Sequence, residues 1–145
     1  MTRLAAGLVI DLAEAFREEI APYLSSLMPQ ILEILRSDDR KQDTKLQAFN
    51  SLSSVACYAS ESFCNNFLTD SLTLMQQAAA LSVRVQDYQD DPDTLDYLGK
   101  LRGTLLEAYS QITLGVSDSN THAAFLPFVP SLFQFLNDCC TTDRS

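Results

Sequence analysis

The sequence of 145 residues predicts an all-α fold, namely a segment of a HEAT-repeat α-solenoid with about three helical hairpins. Three observations support this prediction. Apolar residues recur at spacings of three and four, which is the period of an amphipathic helix. Almost no stretch shows the strict alternation that is typical of a strand. The apolar pattern also repeats along the chain at about the length of one helical hairpin.

The first hairpin is predicted from two helices at residues 4–18 and 22–36. The first helix carries apolar residues that we expect to face inward: Leu8, Leu12, Ala15 and Phe16. The second helix carries a longer apolar stripe of the same kind: Leu24, Leu27, Met28, Ile31 and Leu35. Polar residues 37–40 then interrupt the pattern and predict a break.

Two further helices are predicted at residues 43–59 and 61–81, followed by a polar loop at 82–90. The fifth helix is predicted at 91–115, where Asp91 has the position of an N-cap and Pro92 suits the first turn. Gly115 is expected to close it. Its inward stripe is predicted to be Leu98, Leu101, Leu105, Ala108, Tyr109 and Ile112. A sixth helix, at 122–138, has apolar residues at Phe125, Phe128, Val129, Leu132, Phe133 and Leu136.

The second, fourth and sixth predicted helices repeat one another. Tyr23 aligns with Phe67 at an offset of 44 residues, and Phe67 aligns with Phe128 at an offset of 61. The apolar positions that then coincide are Leu24, Leu68 and Val129; Met28, Leu72 and Phe133; Ile31, Met75 and Leu136; and Leu35, Ala79 and Cys140. The first offset is within the about 40–47 residues of a HEAT or armadillo unit.

Residues 1–145 are therefore predicted to form a single array segment with approximate repeats at 4–36, 43–81 and 91–140. No polar capping face is evident at either end of the predicted stack, so we expect a segment of a longer array. Amphipathic helices resemble one another, so a closed up-down bundle, with the sixth helix packed on the first, is the alternative.

The net charge of −9 argues against nucleic acid as a partner, because phosphate binding needs clustered Lys and Arg. A basic protein is the natural complement, although acidity also serves solubility. The apolar runs are shorter than the about 18 residues or more that a membrane-spanning helix needs, and we predict no membrane partner. The opening residues lack the layout of a signal peptide, because Asp11 and Glu14 interrupt their apolar part.

Catalytic, metal and cofactor sites are not predicted. The acidic loop containing Asp87 fails the EF-hand pattern, because its sixth and twelfth positions are Pro92 and Leu98. His122 is the single histidine and has no paired nucleophile, and no glycine-rich phosphate loop is present. Cys57 and Cys64 occupy apolar helical positions, where we expect both to be buried. A reducing compartment is favoured over a disulfide framework.

A candidate protein-binding surface follows from the repeat. Glu33, Gln77 and Asp138 occupy equivalent polar positions on the second, fourth and sixth predicted helices. A second row contains Ser26, Asp70 and Ser131. Equivalent positions in a solenoid line one surface, which is often the binding face, although they are also simply the solvated side of each helix.

Three stretches resemble the importin beta (karyopherin) family of nuclear import receptors. They are the run from Asp96 to Tyr109, with Leu98, Leu101, Arg102, Leu105 and Glu107; the run Ala5-Ala6-Gly7-Leu8-Val9 with Asp11 and Leu12; and the run from Leu74 to Ala78. They occur in the family's order and at about its spacing, within the C-terminal half of the receptor.

The resemblance implies a HEAT-repeat transport receptor of the cytoplasm, nucleus and nuclear pore, without catalytic activity. Its implied partners are the basic helical segment of importin alpha or basic cargo, phenylalanine-glycine nucleoporins and the GTPase Ran. Glu33, Asp70 and Asp138 are then the candidates for contacting a basic helix. The alternative is a HEAT-repeat scaffold outside transport, such as a phosphatase subunit or a chromosome-associated protein.

Overall fold

The computed structural model describes residues 3–37, 41–116 and 119–143. Its regular elements in these ranges are all helical. The α-helices are α1 (Arg3–Phe16), α2 (Ala21–Arg36), α3 (Gln42–Tyr58), α4 (Ser60–Asn66), α5 (Leu68–Ser82), α6 (Pro92–Gly115), α7 (Ser119–Phe125) and α8 (Val129–Asp143). Short 3-10 turns occur at Arg17–Ile20, Val85–Tyr88 and Leu126–Phe128.

The helices form two layers. One layer contains α1, α3 and α6 side by side, and the other contains α2, α5 and α8. Within the layers, α3 contacts both α1 and α6, while α5 contacts both α2 and α8. Between the layers, α2 covers α3 and α5 covers α6. The main helical partner of α8 is α5 and not α1, so the predicted all-α solenoid is confirmed and the closed bundle is not.

The long helix α6 agrees with its prediction at both ends and along its stripe. All six apolar residues that were predicted to face inward are buried. Asp91 caps the helix: its Oδ1 accepts a hydrogen bond from the Thr94 N–H (3.1 Å) and its Oδ2 one from the Thr94 hydroxyl (2.6 Å). These bonds, the hydroxyl bond first, lower the pKa of Asp91.

Two predicted helices are each divided in the structure. The helix predicted at 61–81 is interrupted at Phe67, which ends α4 and precedes α5 with φ −127° and ψ 1°. The helix predicted at 122–138 is interrupted by the turn Leu126–Phe128, which has Pro127 inside it. Each break separates a short helix of seven residues from a longer one that belongs to the second layer.

The inward face predicted for α1 is wrong in three of its four residues, since only Leu12 is half-buried. Leu8 and Phe16 are 57% and 51% exposed, and Ala15 is exposed as well. The buried residues of α1 are Ala6, Val9 and Ala13. These smaller side chains let α1 approach α3 closely, whereas the larger ones would hold the two backbones apart.

The register predicted for the last helix is wrong by one residue. Phe133 is 66% exposed, and Leu136 and Cys140 are exposed too, although the predicted alignment places all three inward. With an offset of 60 residues from α5, Phe128 in the turn before α8 and Leu132, Phe135 and Cys139 of α8 match Leu68, Leu72, Met75 and Ala79, and these residues are buried or half-buried. The helix carries two neighbouring apolar stripes, and the structure uses the other one.

A carboxylate ties the first hairpin to the start of α4. Glu18, in the turn after α1, accepts hydrogen bonds from the Glu61 N–H (3.1 Å) and the Ser62 hydroxyl (2.9 Å). It therefore satisfies a backbone N–H at the start of α4, as an N-cap would. The neighbouring Arg17 adopts a left-handed backbone (φ 51°), and its guanidinium lies 5.0 Å from the centre of the Tyr58 ring.

Gly115 ends α6 for a reason other than the one predicted. Its φ is not positive, so the helix does not close through a left-handed glycine. Instead, a Cβ at this position would lie 2.9 Å from the Cβ of Ser60 and 3.5 Å from the Sγ of Cys64. The glycine lets the end of α6 approach α4 closely, and this contact helps to define the junction between the two helices.

Replacing two glycines of α6 by alanine should have opposite effects. We expect Gly115→Ala to lower the free energy of unfolding by about 1–3 kcal/mol, because the new methyl group overlaps Ser60. Gly103 lies inside the same helix, and a Cβ added there would meet no atom of another element within 4 Å. Gly103→Ala should therefore raise the free energy of unfolding by roughly 0.5–1 kcal/mol through helix propensity alone. Urea denaturation followed by circular dichroism measures both, and a loss of stability in Gly103→Ala would contradict the prediction.

Two buried serines differ in their hydrogen bonding. The Ser51 hydroxyl, on α3, lies 2.7 Å from the carbonyl oxygen of Ala6 on α1 and 2.9 Å from that of Gln47. The Ser71 hydroxyl, on α5, is buried without a hydrogen-bond partner among the described residues. Ser51 thus links two helices of one layer. For Ser71, the free-energy cost of removing the hydroxyl from water is not offset by a hydrogen bond.

We expect the two serines to respond differently to alanine. Ser51→Ala should lower the free energy of unfolding by about 0.5–1.5 kcal/mol, because a buried hydrogen bond is lost. Ser71→Ala should leave it unchanged or raise it by up to about 1 kcal/mol, because only an unsatisfied hydroxyl is removed. Thermal and urea unfolding of the two variants compare them directly. Equal destabilisation of both would show that Ser71 has a partner in solution.

Candidate protein-binding surface

The four candidate binding residues all lie in the layer formed by α2, α5 and α8. Glu33 is exposed on α2, and Asp70 and Gln77 are exposed on α5. Asp138 is half-buried on α8. The structure therefore places them on three neighbouring helices, with two carboxylates and one amide open to solvent. Their role in binding stays a prediction.

Asp138 does not share the environment of the other three. With the offset of 60, the position on α8 that matches Glu33 and Gln77 is Asn137, which is exposed. Asp138 instead lines a groove of about 170 Å³ between α5 and α8, and its Oδ1 accepts a hydrogen bond from the Gln134 amide at 2.9 Å. The floor of this groove is apolar, and it includes Tyr109.

Polar clefts occur where successive hairpins meet. The first junction cleft, of about 440 Å³, lies between α2 and α4 and is lined by Ala21, Leu24, Ser25, Ser62, Asn66 and Phe67. The second junction cleft, of about 310 Å³, lies between α4, α5 and α7, and its lining includes Asn65, Asn66, Leu68, Thr69, Asp70 and Asn120. Asn66 lines both, and Asp70 is the charged residue in the lining of the second.

A further concave feature, an apolar groove of about 470 Å³, lies between α1 and α2. It is lined by Val9, Leu12, Phe16, Glu19, Ile20, Tyr23 and Leu27. Glu19 is the charged residue of this lining. The groove is therefore suited to apolar side chains rather than to charged ones.

Several acidic residues before α6 and near its start take part in local structure. Asp87 pairs with Arg84 at 2.7 Å, and Asp96 pairs with Lys100 at 2.9 Å, which raises the pKa of Lys100. Asp91 caps α6, as described above. Within the described residues, no group of three His, Cys, Asp or Glu side chains is placed to hold a metal ion.

Two further titratable residues, His122 and Tyr109, lie in different environments. His122 is exposed on α7. Burial raises the pKa of Tyr109 to about 12, so its hydroxyl stays protonated at neutral pH. In the part of the chain that the structure describes, no helix is both long enough and apolar enough to span a bilayer.

The burial predicted for the cysteines is half right. Cys64 is buried and its Sγ lies 3.6 Å from the carbonyl oxygen of Gly115. Cys57, predicted to be buried as well, is exposed. The buried residues of α3 lie between positions 48 and 56, and Cys57 falls just beyond this set.

Asparagines of the junction clefts were not among the predicted site residues. Asn65, Asn66 and Asn120 come from α4 and α7, which the sequence pattern did not separate from longer helices. A possible signal in the sequence is the polar pair Asn65-Asn66, which interrupts an apolar pattern immediately before Phe67. Such a pair is typical of a helix end.

Comparison with known proteins gives one family. The family model described as importin subunit beta-1-like, TPR repeats, matches residues 1–145. Importin subunit beta-1 of Arabidopsis thaliana is 31% identical over 134 residues, and that of Schizosaccharomyces pombe is 30% identical over 138 residues. Each alignment covers 92% of this chain and 15% of the relative, so the chain spans about 15% of the length of these proteins. No solved structure matches the chain.

Thiol labelling tests the register of α8 that places Asn137 beside the other candidates. In the native protein we expect Cys57 and Cys140 to react quickly with a thiol reagent, and Cys64 and Cys139 to react slowly because they are buried. Cys140→Ser should remove one fast-reacting thiol per molecule, whereas Cys139→Ser should remove one slow-reacting thiol. The reverse pattern would show that α8 uses the register with the offset of 61.

Proposed function

Because the chain belongs to the importin subunit beta-1-like family, we propose that it is a protein-binding repeat segment of a nuclear import receptor. The family match over the whole chain is the observation that carries this proposal. The proposed repeats are residues 4–36, 43–81 and 91–140, each contributing one helix to each layer. In this proposal the segment binds partners and catalyses no reaction.

The proposed partner of the layer formed by α2, α5 and α8 is a basic helical segment, as in importin alpha or a basic cargo protein. The net charge of −9 favours a basic partner, and the exposed residues Glu33, Asp70 and Gln77 offer it two carboxylates and an amide. Asn137 and Asp138 extend this surface onto α8. A rigid helix laid across three packed helices would contact several of these side chains together.

Phenylalanine-glycine nucleoporins and the GTPase Ran are further proposed partners. They are supported by the family match and not by particular residues of this chain. The same proposal gives the protein a distribution between the cytoplasm and the nucleus, including the nuclear pore.

Several weak contacts are expected to act together at this surface. One exposed ion pair contributes only about 0.2–1 kcal/mol, so no single charge should be essential. The net negative charge attracts a basic partner over a range set by the ionic strength, with a Debye length of about 8 Å at 0.15 M salt. The binding should therefore be strengthened at low salt and shared among the carboxylates.

Charge removal on this layer should weaken the binding of a basic importin-alpha-type peptide. We expect the triple variant Glu33→Gln, Asp70→Asn and Asp138→Asn to raise the dissociation constant by about 3- to 30-fold at low salt, with a smaller effect at physiological salt. Isothermal titration or fluorescence anisotropy at the two salt concentrations measures it.

A matched variant with the same charge change controls for net charge alone. Asp11, Glu14 and Glu107 are exposed on α1 and α6, in the other layer. We expect Asp11→Asn, Glu14→Gln and Glu107→Gln together to weaken the peptide much less. Equal weakening by both triple variants would place the binding in the long-range field of the protein and not on this layer, which would contradict the proposed surface.

A further inference from the structure

The groove of about 170 Å³ between α5 and α8 has a hydroxyl group at its otherwise apolar floor. The buried residues of its lining, which form this floor, are Ala79 of α5, Tyr109 of α6 and Phe135 of α8. The ring centres of Tyr109 and Phe135 lie 6.1 Å apart, with an angle of 46° between the ring planes. Because this packing orients the Tyr109 ring, its hydroxyl has a defined position in the groove.

The Tyr109 hydroxyl has no hydrogen-bond partner among the residues that the structure describes. The Thr113 hydroxyl donates at 2.7 Å to the backbone carbonyl oxygen of Tyr109 and not to its side chain. Tyr109 is only 5% exposed, yet the fully enclosed polar side-chain atom without a partner in the described residues belongs to Ser71. The Tyr109 hydroxyl is therefore not fully enclosed, and it opens onto the groove that Tyr109 lines. Burial raises the pKa of Tyr109 to about 12, so the hydroxyl keeps its proton and can both donate and accept a hydrogen bond.

The rim of the groove offers hydrogen-bonding groups on both sides. On α5, the exposed amide of Gln76 makes no hydrogen bond within the described part of the chain. On α8, Gln134 Nε2 donates to Asp138 Oδ1 at 2.9 Å, and this leaves Asp138 Oδ2 as a further acceptor. The lining contains no Lys or Arg side chain. These groups are suited to the N–H and C=O groups of a peptide backbone.

The volume and the chemistry of the groove together select one class of side chain. One water molecule takes up about 30 Å³ of liquid, so the groove has the volume of about five or six waters and holds an aromatic ring. A phenylalanine would leave the Tyr109 hydroxyl covered and without a partner, which weakens binding. A lysine or arginine would place its charge at a floor that has no carboxylate. A tyrosine has an apolar ring with a hydroxyl at its far end and meets both requirements.

We propose that the groove between α5 and α8 binds a tyrosine side chain of a partner protein, whose ring packs on Ala79 and Phe135 and whose hydroxyl forms a hydrogen bond with that of Tyr109. Gln76 and Asp138 contact the backbone of the bound segment from the two sides of the rim. This site does not rest on the surface proposed for a basic helix, because a tyrosine brings no charge and the two sites share Asp138 only.

Two neutral peptides that differ by one oxygen atom test the proposal on the whole chain. They are acetyl-Gly-Ser-Tyr-Ser-Gly-amide and the same peptide with phenylalanine in place of tyrosine. Titration followed by two-dimensional NMR reports on the side-chain amides of Gln76 and Gln134, with Gln30 on α2 as a reference outside the groove. We expect saturable shifts of the two groove amides with the tyrosine peptide, and a dissociation constant about 3- to 10-fold higher for the phenylalanine peptide, as loss of one hydrogen bond gives.

Tyr109→Phe removes the hydroxyl and keeps the ring that contacts Phe135. We expect it to raise the dissociation constant of the tyrosine peptide about 3- to 10-fold, while the phenylalanine peptide binds at least as tightly as to the unaltered protein. The preference for tyrosine should therefore disappear. A role of Tyr109 in packing alone would instead weaken both peptides equally. The variant should unfold at the same urea concentration or a higher one, because the hydroxyl has no partner within the described protein.

A larger side chain at the rim tests where the peptide lies. Ala80 is an exposed residue of the lining on α5, so Ala80→Leu should obstruct the groove and remove the saturable shifts without unfolding the chain. Ala15→Leu makes the same change at an exposed position of α1, in the other layer, and should leave the affinity for the tyrosine peptide unaltered. Equal loss of binding in both variants would place the peptide elsewhere and overturn the site.

Equal affinity for the two peptides in the unaltered protein, a preference for tyrosine that survives Tyr109→Phe, or saturable shifts confined to amides outside the groove would each overturn the tyrosine site. An absence of shifts at millimolar peptide would overturn it as well, because the Tyr109 hydroxyl would then be bonded to water alone. Tyr109→Phe keeps every carboxylate of the other surface, so the basic helical peptide should bind to it as to the unaltered protein. Loss of helical-peptide binding with the tyrosine preference retained would contradict the proposed function and leave the tyrosine site in place.

Discussion

The packing of α3 between α1 and α6 is the contact on which the rest of the structure depends. A helix with neighbours on two sides needs small residues where the backbones approach, and α3 has buried Ala48, Ser51, Ser53 and Ala56 there. The hydroxyl of Ser51 donates a hydrogen bond to a carbonyl oxygen of the neighbouring helix α1, so this polar residue strengthens the contact. Once α1, α3 and α6 form a row, the covering helices α2, α5 and α8 can only form a second row.

The accuracy of the sequence-based prediction differs between helices for a physical reason. In α6 the large apolar residues form a single stripe, so periodicity alone identified every buried residue. In α1 the larger apolar residues and the small ones lie on different faces. Hydrophobicity favours the face with the larger residues, but close packing of α1 on α3 requires the face with the small ones. In α8 two stripes, one containing Phe133 and one containing Phe135, have equal spacing. Only the helices packed around α8 select between them.

The candidate site could be predicted only at the level of the layer. Glu33, Asp70 and Gln77 were identified because they project from regular helices at equivalent repeat positions. The junction clefts depend on the break at Phe67 and on the turn Leu126–Phe128, which reorient α4 and α7 relative to the helices that follow. A 3-10 turn has three residues per turn instead of 3.6, so a stripe extended across it loses its phase. The side chains that meet in the clefts therefore have no common period in the sequence.

The hydrogen bonds of Glu18 have a mechanical consequence for the stack. They cross from the turn after α1 to the start of α4, away from the apolar contact of α1 with α3. A bend between these hairpins that opens the edge must stretch both bonds together, while the packed helices behind act as a pivot. Because the carboxylate lies away from the contact between α1 and α3, its hydrogen bonds lengthen more than that contact does when the hairpins bend apart. Opening of the solenoid at this junction is therefore opposed by two hydrogen bonds in addition to the buried surface between the helices.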